Sequence, residues 1–180
     1  MQGHEPQRPP ADASQLDDET LAFARKVFQM ARGGETAELA TLLSQGMPAN
    51  LRNERGDSLL MLASYNGHPE TTKVLLEHGA DPELLNDAGQ SPLMGAAFKG
   101  DLAIATLLLD GGARPDGPGR DGKTPLMFAA MFNRVDLARM LVERGADPFA
   151  VDAAGVSILD AARKMGAADT AALLESLPPR

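Results

Sequence analysis

Apolar residues in this chain fall into two kinds of short block that alternate along it. One kind opens on a hydroxyl residue and continues through Leu, Met and Ala. Examples are Ser58-Leu59-Leu60-Met61-Leu62-Ala63, Ser91-Pro92-Leu93-Met94-Gly95-Ala96-Ala97 and Thr124-Pro125-Leu126-Met127-Phe128-Ala129-Ala130. The other kind is a leucine stripe, Val74-Leu75-Leu76 and then Leu107-Leu108-Leu109. Polar stretches containing Gly separate the blocks. β-branched residues are too few to fill strands, and the small side chains let helix axes approach closely. The pattern predicts pairs of short helices packed on one another.

The blocks keep a fixed period. Gly56, Gly89, Gly122 and Gly155 stand 33 residues apart, and Ser58, Ser91, Thr124 and Ser157 follow in the same register. So do the Leu60, Leu93, Leu126, Leu159 column and the Ala63, Ala96, Ala129, Ala162 column. Leu75, Leu108, Leu141 and Leu174 continue it, as do Gly79, Gly112 and Gly145. Each residue type has a physical task. The hydroxyl is a helix N-cap, accepting a bond from a free backbone N–H of the first turn. Pro92 and Pro125 take the first helical position, where a missing N–H costs nothing. Gly67 and Gly100 end the first helix as left-handed caps, and Asn133 can adopt the same conformation there. The glycines at 79, 112 and 145 stop the second helix, after which Ala80-Asp81-Pro82 and Ala146-Asp147-Pro148 lead into a turn towards the next unit.

Ser91-Pro92-Leu93-Met94-Gly95-Ala96-Ala97 and Thr124-Pro125-Leu126-Met127-Phe128-Ala129-Ala130 resemble the Thr-Pro-Leu-His-x-Ala-Ala signature of ankyrin repeats, whose period is also 33 residues. Leu75-Leu76-Glu77-His78-Gly79-Ala80-Asp81 is similar to that family's second-helix ending. The resemblance covers roughly residues 20–177 and implies an all-α solenoid of helix-turn-helix units with hairpin-like fingers. Residues 1–18, with Pro6, Pro9 and Pro10, read as a disordered tail. The repeat domain is expected over 19–177, in units of about 21–53, 54–86, 87–119, 120–152 and 153–177, the outer two acting as caps.

Four departures from the family pattern carry expectations of their own. Met61, Met94 and Met127 occupy the family's His position, with Asp160 in the last unit, so methionine packing must replace the usual His hydrogen bonds. The first unit keeps Leu42, Leu43 and Gly46 in register but lacks the N-cap and its glycine. Glu175 puts a polar residue on the outside of the last unit. The run Arg114-Pro115-Asp116-Gly117-Pro118-Gly119 is so rich in Gly and Pro that a displaced or mobile finger is expected there.

Composition narrows the function classes. Hydrophobic residues are 43% of the 180, aromatics 4%, and the formal charge is −8. No cluster of Lys and Arg suited to a phosphate backbone or an anionic membrane is present, so neither nucleic acid nor membrane is an expected partner. No apolar run approaches the roughly 20 residues that span a bilayer. Met1 to Ser14 shows neither a basic nor an apolar region of a secretory signal, which makes the cytoplasm the expected compartment. Cysteine is absent, and thiol chemistry with it.

One motif invites a catalytic reading. Gly117-Pro118-Gly119-Arg120-Asp121-Gly122-Lys123-Thr124 satisfies the phosphate-loop pattern G-x-x-x-x-G-K-[ST], in which backbone N–H groups cradle phosphates and Thr holds magnesium. A true nucleotide site needs a buried strand before the loop and a long helix after it. Here a leucine stripe precedes it, and Gly122 and Thr124 are explained by the repeat register. His4, His68 and His78 have no metal-site or dyad spacing. The acidic residues read as solvated turns and helix ends. No catalytic residue, cofactor or metal is therefore expected, and the chain is expected not to be an enzyme.

The informative positions are those that vary between units. The resemblance implies partner contact on a concave face made of finger tips and the exposed ends of first helices. Those ends carry Tyr65-Asn66, Phe98-Lys99, Met131-Phe132 and Lys164-Met165, again at steps of 33. Large apolar side chains on a water-facing line call for something to cover them, unless they lie over neighbouring helices and finish the core. The finger tips add Arg55, Asp57, Gln90 and Lys123, among mixed charges. The expectation is a monomer that binds one specific protein, as an inhibitor, immunity or accessory protein of bacterial type. Self-association through the same face, or nucleotide binding at Gly117–Thr124, are the alternatives.

Overall fold

A computed structural model describes residues 18–178. Among the described residues the chain forms ten helices and no strands. First helices of the units are α1 (Asp18–Gly33), α3 (Leu59–Tyr65), α5 (Pro92–Lys99), α7 (Pro125–Met131) and α9 (Ile158–Lys164). Second helices are α2 (Thr36–Ser44), α4 (Pro69–Glu77), α6 (Leu102–Asp110), α8 (Val135–Glu143) and α10 (Ala168–Glu175). First helices pack against first helices of neighbouring units, and second against second, so the molecule is an all-α stack two helices deep.

The caps act where the sequence places them. The hydroxyls of Ser58, Ser91, Thr124 and Ser157 accept from the backbone N–H three residues on, at 3.0 to 3.3 Å, each worth about 1 kcal/mol. Asp101 caps α6 in the same way through Ile104 N. Gly67, Gly100 and Asn133 end their helices at φ 74°, 76° and 55°.

The core runs the length of the stack. Leu60, Leu93 and Leu126 are buried with Ala63, Ala96, Ala129 and Ala162 on the first helices, and Leu75, Leu108 and Leu141 on the second. Alanine at the contact rows brings the helices together without a void. Met61, Met94 and Met127 are buried too, and Met94 Sδ receives the Ser91 N–H at 3.5 Å, the sulfur standing in for a capping side chain. Asp160 instead accepts from the Ser157 hydroxyl at 2.8 Å.

Neighbouring units are stitched together at repeating places. Asn50, Glu83 and Asp116 share one column, and each accepts the backbone N–H of the residue 31 positions on: Asp81, Arg114 and Asp147. At the finger tips, Asp87 N donates to Arg55 O, Arg120 N to Gly89 O and Ala153 N to Asp121 O. The glycine column explains itself here. A Cβ on Gly56, Gly89 or Gly122, all at positive φ, would meet the next finger within 2.7 Å, whereas Gly155 has nothing within 4 Å.

One expectation falls almost wholly outside the described residues, and one is corrected. The tail expected for 1–18 lies outside the described residues except for Asp18, which opens α1; Asp18 and Glu19 in that first turn suit the positive end of the helix dipole. The finger at Arg114–Gly119 is held on both flanks rather than displaced. Arg114 binds Glu83 through N and Nε at 2.9 and 2.8 Å, and the Asp116 carboxylate takes Asp147 N at 2.9 and 3.0 Å. Its glycine at 119 stands where other fingers have Asn53, Asn86 or Asp152, whose side chains accept the loop's own N–H groups. Without that side chain the backbone presses close to Gly89 O, which a Cβ would meet at 2.6 Å.

Candidate partner-binding face

The ends of the first helices and the adjoining finger bases form two neighbouring depressions. The first, about 320 Å³, lies over α3 between α1 and α5, and Arg32, Arg55, Asp57, Tyr65 and Gln90 border it. The second, about 230 Å³, lies over α5, with Tyr65, Gly95, Phe98, Phe128 and Phe132 around it. Tyr65, Gln90 and Gly95 belong to both, so the two are continuous.

The aromatic residues are held in place. Phe98 and Phe132 meet edge to face, centroids 4.5 Å apart at 79°, a pairing worth about 0.5–1.5 kcal/mol beyond burial. Both rings are half-buried. Tyr65 is 41% exposed, and Lys99 fixes it from the next unit: Nζ donates to Tyr65 O at 2.7 Å and stands 4.7 Å from the ring centroid. Gly95 leaves room for that ring, since a Cβ there would lie 3.1 Å from Tyr65 Cδ2. Glycine inside a helix costs about 1 kcal/mol relative to alanine. Its backbone is not left-handed, so the space alone accounts for it.

The positions singled out in the sequence divide into those that converge and those that do not. Tyr65, Asn66, Arg55, Asp57 and Gln90 meet at the first depression, and Phe98 and Phe132 join Tyr65 at the second. Met131 packs against the hydrophobic core instead, because α7 turns it inward and leaves Phe132, its C-cap residue, to face Phe98. Met165 is exposed, but it borders neither depression. Lys123 pairs with Asp121 at the third finger, which holds the Asp121 carboxyl below and the Lys123 ammonium above their ordinary pKa values. Sequence reasoning missed Arg32, Gly95 and Phe128. A glycine inside a capped helix was the available signal for Gly95.

The phosphate-loop match is built as a finger. Gly117 N donates to Arg114 O, Gly119 N to Lys123 O and Gly122 N to Gly119 O, while the Thr124 hydroxyl caps α7. Helix α6 precedes the stretch, and the helix that follows has seven residues. Among the described residues no three His, Asp or Glu side chains group as metal ligands, and no helix is long and apolar enough to cross a membrane.

Comparison with known proteins agrees with this architecture. The family model for ankyrin repeats in three copies matches residues 27–118 and 81–152. The chain belongs to the ankyrin repeat family. Over 60 residues it is also 56% identical to an ankyrin repeat protein of Pseudomonas aeruginosa, a match covering 33% of this chain and 35% of that relative. The chain thus spans about a third of that relative's length. Ankyrin repeats are generally protein–protein interaction modules without enzymatic activity of their own.

Proposed function

We propose that this ankyrin protein binds one specific protein partner through the face formed by its first helices and finger tips, the concave face of the family, and that it performs no chemistry itself. The observation that carries the reading is the aromatic row Tyr65, Phe98 and Phe132, pinned by Lys99 and by ring-on-ring contact yet still facing the two depressions. Side chains ordered before binding lose little entropy when a partner arrives. Aromatic and Arg residues are also the types enriched at interface centres. The free chain is proposed to be a monomer of the bacterial cytoplasm, and binding to inhibit, shield or tether the partner. Neither a nucleic acid nor a membrane is proposed as its target.

The test is capture of partners from host lysate by the whole chain, followed by titration of the purified partner. Replacing Tyr65 and Phe98 with Ser should weaken the complex by about 2 kcal/mol or more. A complex that ignores those changes, and is broken only by substitutions on the second helices, would place the interface elsewhere. Sedimentation over a wide concentration range checks the monomer.

A further inference from the structure

The column containing Gly95 holds Leu62 in the unit before and Phe128 in the unit after. The missing side chain lets the Tyr65 ring close on Gly95, and beside that ring lies a dent walled by Tyr65, Phe98, Phe128 and Phe132. Its volume of about 230 Å³ suits a single large side chain. The adjoining depression has a different character. Arg32 and Arg55 border it, both exposed, and neither forms an ion pair among the described residues. Asp57 is the acid there, and its carboxylate already accepts from the Asn53 and Asn86 amides. On a chain of net charge −8, two exposed arginines outnumber the one carboxylate beside them, and that local positive excess favours acidic partners over basic ones.

Resting on the reading of this face as protein-binding, we propose that it takes an extended segment of the partner. The segment seats one aromatic or large aliphatic side chain in the dent between Tyr65 and Phe98, beside Gly95, and sets an Asp or Glu against Arg32 and Arg55. The spacing follows from the stack. The two depressions are offset by one helix, about 8–10 Å between axes, which an extended or polyproline chain at about 3.1–3.4 Å per residue covers in two to three residues. The recognised element is therefore an apolar anchor with a carboxylate two or three positions away.

The experiment pans a phage-displayed random dodecapeptide library on the immobilised whole chain and measures the enriched peptides by fluorescence anisotropy. Enriched sequences should share the anchor and the acid at that spacing. Gly95→Leu, which fills the dent, should weaken them about tenfold or more. Arg32→Glu combined with Arg55→Glu should also weaken them about tenfold, more so at about 50 mM than at about 500 mM salt. Circular dichroism checks that each variant is folded. If Gly95→Leu is not, the arginine pair and the peptide composition decide. Failure to enrich, enrichment of basic or anchor-free peptides, equal binding by both variants, or tighter binding of poly(dT) than of any peptide overturns the proposal. A whole-protein partner lost with Tyr65 and Phe98 but indifferent to Gly95→Leu and to the arginine reversals overturns it too, while leaving the broader binding reading intact.

Discussion

Two threonines, both 0% exposed, give a paired prediction of opposite signs. Thr72 lies in α4, and its hydroxyl has no hydrogen-bond partner among the described residues. The same column carries Leu39, Ala105, Ala138 and Ala171, all apolar. Thr170 lies in α10, and its hydroxyl donates to Ala130 O at 2.7 Å, tying that helix to α7. Valine matches threonine in shape and nearly in helix propensity, so the exchange isolates the hydroxyl. An unsatisfied buried polar group costs about 1–3 kcal/mol, and a made hydrogen bond contributes about 1 kcal/mol net. Thr72→Val should therefore stabilise by about 1 kcal/mol, and Thr170→Val should destabilise by about 1 kcal/mol. Equilibrium urea unfolding with an unchanged m-value reads both, and Tm should move by about 2–4 °C in opposite directions. Shifts of the same sign, or a loss at Thr72, would refute the assignment of hydroxyl satisfaction at these sites.

Other expectations follow from single contacts. Leu108→Ala, at a fully buried site, should cost about 2–5 kcal/mol in the same assay. Phe132→Ala should cost about 1–2 kcal/mol, because it removes an edge-to-face partner as well as half-buried area. Gly122→Ala should cost more than Gly155→Ala: both share the backbone strain of positive φ, about 1 kcal/mol or more, but only at Gly122 would the new Cβ strike backbone, Ala153 N at 2.7 Å. An NMR titration should find the Asp121 carboxyl below its ordinary value, and Lys123→Met should raise it towards that value by removing the ammonium, the backbone N–H bonds remaining. Because the folded pKa is the depressed one, this pair's small contribution is present at neutral pH and is lost as pH falls through that lowered midpoint.

The fold was legible because its rules are local and repeated. A hydroxyl before Leu59, Pro92, Pro125 or Ile158 announces a helix start, and the left-handed residues at 67, 100 and 133 announce an end, independently of any distant contact. The face was legible only in part. A period of 33 says which residues are equivalent in sequence, not which way each side chain leans. Met131 and Phe98 are equivalent, yet one packs inward while the other meets Phe132, a residue one place further on. The placement of the Arg114–Gly119 finger was hidden for a different reason. Its hold comes from Glu83 and from Asp116 acting on Asp147, contacts 31 residues apart that composition alone reads as looseness.

The stitches at Asn50, Glu83 and Asp116 each reach across one module and no further, the same columns supplying donor and acceptor. At those joints an exchanged block would find an equivalent partner, whereas the bonds from Asn133 to Asp169 and Thr170 belong to one junction alone. The dent beside Gly95 likewise belongs to one place in the stack, where a glycine admits the Tyr65 ring and Phe98, Phe128 and Phe132 complete the wall. In such a molecule the choice of target lies with the side chains that fill a few columns, while the helical scaffold that displays them repeats.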